Sequence, residues 1–109
     1  MALTRDFKET VAMRVQKDAR FRRALLAEAV ETLLEGDLDT GKSLLRDYIN
    51  ATIGFEGLAQ AIGKESKSIH RMLGPKGNPT AENIFLIVKV LQDADKISLH
   101  VKANTNKAA

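Results

Sequence analysis

The sequence predicts an all-α domain of five to six helices that closes with one short β-strand. Apolar residues recur at helical spacing along most of the chain, from Phe7 to Leu91. The run from Phe55 to Gly74 has the small-residue spacing of two short helices packed across a tight turn. The segment KISLHVK alone alternates apolar and polar residues with period two. At 109 residues the chain has room for a single domain with a modest core, expected over residues 1–103, with 104–109 a flexible tail.

The N-terminal helices are expected within residues 4–52. Thr4 can cap a first helix that runs to about Lys17 with Phe7, Val11 and Val15 in line. Asp18 then precedes ARFRRALLAEAVETLLEG, in which Phe21, Leu25, Ala29 and Leu33 share a face beside Leu26, Val30 and Leu34. Gly36 ends this helix in the usual C-terminal manner. A third helix follows from about Thr40 to Thr52, with Leu44, Leu45, Tyr48, Ile49 and Thr52 on one side.

Between the second and third helices lies GDLDTGKS, residues 36–43, which fits the phosphate-loop pattern of nucleotide hydrolases. Such a loop needs a buried strand before it and free backbone N–H groups to cradle phosphate. Here a helix precedes it, and Asp37 and Asp39 would oppose the charge of a polyphosphate. The simpler reading has Gly36 ending one helix and Asp37 or Asp39 capping the next. Lys42 and Ser43 are then ordinary residues of a first turn, and removing the Lys42 amine should leave the fold nearly intact.

Two short helices are expected over residues 55–74 and a final one over 80–93. A close helix crossing requires a small residue, and the turn between the helices favours glycine; Ala59 and Gly63 meet both needs. Leu58, Ile62, Ile69 and Met72 then fall inward, while Ser66, Lys67, His70, Arg71 and Gly74 face outward on the second helix. Lys64 occupies a turn position where an apolar residue is common. An ordinary pair of amphipathic helices would share much of this pattern.

The run LAQAIGKESKSIHRML resembles the helix-turn-helix of the lambda-repressor/Cro (Xre-type) DNA-binding family. The continuation GPKGNPTAENIFLIVKVLQ is similar to the addiction-module antidote (HigA-like antitoxin) branch, and the resemblance covers about residues 20–102. It implies a lambda-repressor-like fold and a dimeric repressor of its own operon that also neutralises a RelE/ParE-like toxin. Phe55 and Glu65 depart from the family pattern: many relatives carry a polar backbone contact at the first position and a Ser or Thr cap at the second.

Physical chemistry assigns DNA-binding roles to the matched residues independently. Arg71 can fork two donors to guanine in the major groove, Lys67 and Ser66 can reach base edges or phosphate, and His70 can do either according to its protonation. Lys64 and Lys76 flank the helix and suit phosphates, which position without specifying. Thr80 opens the next helix, whose N–H groups can also meet a phosphate.

The charge pattern agrees with a polyanionic partner. The chain has 17 Lys/Arg against 14 Asp/Glu, and residues 63–77 alone carry four against one. Residues 24–62 are acidic, with two basic side chains against seven acidic ones. Cysteine is absent, and with two histidines the chain lacks the makings of a thiolate or imidazole metal cage; no metal, cofactor or catalytic residue is expected. No apolar run approaches the roughly 20 residues of a membrane span, and MALTRDFKET lacks a signal-peptide core. A cytoplasmic protein without a membrane partner is the expectation.

The last helix carries more apolar surface than one core requires. Ile84, Ile87, Val88 and Leu91 form its inner stripe, leaving Phe85, Leu86 and Val90 over. The strand expected at 97–102 has no second strand to pair with, so Ile97, Leu99 and Val101 join those three as candidate dimerisation residues of a shared ribbon. The combined expectation is a homodimeric, sequence-specific transcriptional regulator of antitoxin type on an inverted-repeat operator of double-stranded DNA. The alternative is a protein-binding module that sequesters a partner without DNA binding.

Overall fold

The computed structural model describes residues 5–105 of the chain, and these form six helices. They are α1 (Arg5–Lys17), α2 (Ala19–Leu34), α3 (Leu38–Ala51), α4 (Gly54–Ile62), α5 (Ser66–Met72) and α6 (Ala81–Asp95). The expected Thr4 cap, the Phe7 side chain and the tail beyond residue 105 lie outside what is described. The first three helices pack on one another, α3 packs on α4, and α4 packs on both α5 and α6. No described helix is long and apolar enough to cross a membrane.

Short polar side chains set the helix starts. The Asp18 carboxylate accepts the N–H groups of Arg20 and Phe21 at 3.0 and 3.3 Å, which satisfies two donors of the first turn of α2. The Phe21 N–H, followed by that of Arg20 and by the guanidinium charges of Arg20 and Arg14, draws the Asp18 carboxyl below its ordinary range against a smaller desolvation cost. Asp37 accepts from the Thr40 N–H at 3.2 Å and starts α3 two residues earlier than its apolar stripe suggests. Gly36, at φ +89°, follows the end of α2 in the left-handed region, as its place in the sequence predicts.

One core runs through all six helices: Val15, Leu26, Ala29, Leu45, Tyr48, Ile49, Leu58, Ile69, Leu73, Ile87 and Leu91 are buried together. The expected stripe of α6 is buried in full, whereas Leu34 of α2 faces solvent. The Tyr48 hydroxyl donates to the Asp95 carboxylate and joins α3 to the end of α6. Burial first, and then the hydrogen bond to Asp95 and its negative charge, push the Tyr48 phenol up from its ordinary value.

The expected β-strand at 97–102 does not form: no strand occurs among the described residues. Lys96 takes a left-handed conformation at φ 55° and turns the chain back at the end of α6. Ile97 drops into the chain's own core, its N–H bonded to the Gln92 carbonyl at 2.9 Å. The Gln92 side chain accepts the Leu99 N–H at 2.8 Å. The period-two pattern therefore does not reflect ladder pairing: Ile97 is buried, Leu99 is half-buried beside Ala27, Val30 and Leu34 of α2, and Val101 stays exposed. Ile97 is thereby withdrawn from the expected dimer surface.

Two outcomes test this account. Ile97→Ala should lower stability by about 2 to 4 kcal/mol, read from the urea midpoint; an unchanged midpoint would mean that the segment is only draped on the surface. Tyr48→Phe should cost about 1 kcal/mol at neutral pH. A phenol whose folded value is raised stabilises the fold fully below its ordinary value of 10.0 and loses that contribution as pH rises above it. Wild type should consequently weaken more steeply than Tyr48→Phe in alkaline denaturation scans.

Candidate nucleic-acid interface

The α4–α5 pair is short because its turn is closed at once by backbone bonds. Gly63 ends α4 at φ +71°, and the Ala59 carbonyl accepts both the Gly63 and Lys64 N–H groups at 2.9 and 3.1 Å. Ala59 is buried at the crossing, as a close approach requires. Glu65 is the N-cap residue of α5 but makes no side-chain cap bond; its carbonyl accepts from Ser68 and Ile69 instead. Ile69 and Leu73 are fully buried and fix the inner side of α5, while Ile62 and Met72 are half-buried against the core.

The outer side of α5 carries the predicted residues. Lys64, Lys67, His70 and Arg71 are exposed, and Ser66 is half-buried. Lys67, His70 and Arg71 stand three and four residues apart, on one helix face. Arg71 and exposed Lys76 line the same shallow depressions with Gly77, beside Ser68 and Asn78. None of Lys64, Lys67, Arg71 or Lys76 forms an ion pair among the described residues. Thr80 is exposed at the start of α6, but its Oγ1 is engaged in accepting the Asn83 N–H at 3.2 Å.

The loop behind α5 is anchored from below by residues that sequence reasoning missed. Lys42 is not an ordinary residue of a first turn: its side chain is only 2% exposed, and its Nζ donates to the carbonyls of Gly74 at 2.9 Å and Gly77 at 2.7 Å. The Asp39 carboxylate lies 3.9 Å away in solvent and adds little. Arg46, one turn on, donates to the Leu73 carbonyl. Gly77 must approach so closely that a Cβ there would sit 2.2 Å from the Arg71 and Met72 carbonyl oxygens. The signal was present in the spacing: position 42 lies on the inner line of α3 with Leu45 and Ile49, so a lysine there needed acceptors.

A second feature has no counterpart in the apolar pattern. Phe55 is buried at the start of α4, and its ring stacks on His70 with centroids 3.8 Å apart and planes at 19°.

The candidate dimerisation residues separate into groups. Phe85 is 67% exposed, Leu86 is exposed, and Val101 is 82% exposed, whereas Val90 and Leu99 are half-buried against the core and Ile97 is inside it. No family model, no curated protein and no solved structure matches the chain.

Lys42→Met keeps the apolar stem but removes the donors. It should lower stability by about 2 kcal/mol and speed amide exchange in residues 73–78 more than in α2. Wild-type stability in that variant would show that the two carbonyl bonds contribute nothing net.

Proposed function

We propose that the protein is a sequence-specific DNA-binding regulator whose α4 and α5 act as a helix-turn-helix of the lambda-repressor type, with α5 in the major groove. The observation that carries this reading is the α5 surface itself. A helix seated on the core through Ile69 turns Lys67, His70 and Arg71 outward without charge partners among the described residues, between the flanking cations Lys64 and Lys76. In the groove, Arg71 offers a bidentate pair to guanine, and Lys67, Ser66 and His70 reach neighbouring base edges. Lys64 and Lys76 contact phosphates, and the first turn of α6 behind Thr80 supplies backbone donors.

We propose that two copies associate through exposed apolar side chains, Phe85 and Leu86 on α6 and Val101 in the segment beside α2. The antitoxin role, with repression of its own operon and capture of a RelE/ParE-like toxin, rests on the resemblance of residues 20–102 alone.

Binding of the purified protein to the DNA upstream of its own gene, at several salt concentrations, tests the reading. A dimer should select half-sites about 34 Å apart. Arg71→Ala should cost about 1 to 3 kcal/mol per half-site and relax preference at one base pair. Lys76→Ala should weaken all sequences alike and reduce the salt slope by about one unit for each phosphate no longer neutralised. Equal affinity of the wild type for that DNA and for random duplex would sink the proposal in favour of a protein-binding module.

A further inference from the structure

We propose that Phe55 is a positioning residue for His70, so that the base preference contributed by His70 depends on an aromatic ring at position 55. The inference rests on the DNA-binding reading of α5. An imidazole on a helix surface ordinarily samples several staggered wells, and that freedom is lost when it docks on a base edge. Here the ring is already held: it lies at 3.8 Å, inclined by 19°, on the face of Phe55. Phe55 itself cannot swing away, because it is 6% exposed and belongs to the core beside Leu58 and Ala59.

Stacking occupies one face of the imidazole and leaves its edge, which bears both nitrogens, for hydrogen bonding. No described residue bonds either nitrogen. Neutral imidazole then presents one donor and one acceptor in a fixed direction, between the more flexible Lys67 and Arg71. A leucine at position 55 would fill similar apolar space but would offer no flat face.

The test is selection of bound sequences from a library of randomised duplexes by wild type, His70→Ala, Phe55→Leu and Phe55→Tyr, with the His70 ring proton shifts of the free proteins read by NMR. The base-pair position whose preference disappears in His70→Ala is the one that His70 reads. Phe55→Leu should lose preference at that same position by about tenfold while keeping the remainder of the motif, and Phe55→Tyr should retain it. In the free protein, Phe55→Leu should move the His70 ring protons out of the phenyl shielding, and Phe55→Tyr should not. A full wild-type motif in Phe55→Leu, or loss of all positions equally, overturns the positioning role but leaves DNA recognition standing. Absence of any motif with wild type overturns both, and the ring shifts then still report whether the stack exists.

Discussion

An ammonium group taken out of water must be met by hydrogen-bond acceptors, and in this chain that requirement ties the third helix to the loop behind the fifth. Lys42 sits on the inner line of α3, where its stem packs with the core and its Nζ reaches the Gly74 and Gly77 carbonyls. Arg46 meets the Leu73 carbonyl from the next turn. The Leu73 carbonyl is one of those that a helix C-terminus leaves without an intrahelical partner, so Arg46 satisfies the end of α5, while Lys42 reaches the loop beyond it, where the Gly74 carbonyl also accepts the Gly77 N–H. The two carbonyl bonds offset the cost of burying the Lys42 ammonium and hold the loop against α3.

The direction in which α5 faces follows from that anchor. Ile69 and Leu73 hold its inner side, and the loop is drawn so close that Gly77 has no room for a side chain. What remains outside is a short row of cations without ion-pair partners among the described residues. Two kinds of basic residue are thereby distinguished within one small domain. Lys42 and Arg46 are consumed by the fold, whereas Lys64, Lys67, Arg71 and Lys76 are left to solvent or to a polyanion. Net charge alone cannot make that distinction, since it counts all six alike.

The C-terminal segment shows a different compromise. Its alternation of Ile97, Leu99 and Val101 has the period of a strand, but a ladder needs a second edge, and the described chain offers none. The left-handed turn at Lys96 and the Gln92 side chain provide another solution: Ile97 enters the core and the Leu99 N–H is satisfied locally. Val101, next in the alternation, finds no cover and remains in solvent.

The sequence by itself determined what depends on near neighbours along the chain. Asp18 before α2, Gly36 behind it, Gly63 in the tight turn and Thr80 before α6 act through bonds or backbone angles within a few residues and were legible for that reason, and the cap of α3 was narrowed to Asp37 or Asp39, of which the structure uses Asp37. The inner stripes of α3 and α6, and the outward set on α5, followed from helical period once the helices were placed. Only the tertiary structure decided the partners of Lys42, 32 and 35 residues away, the stack of Phe55 on His70, and the path of the chain after Lys96. Each of these depends on which surface a distant element brings near, and a pattern of apolar and polar letters records how deeply a residue is buried, not what it meets there.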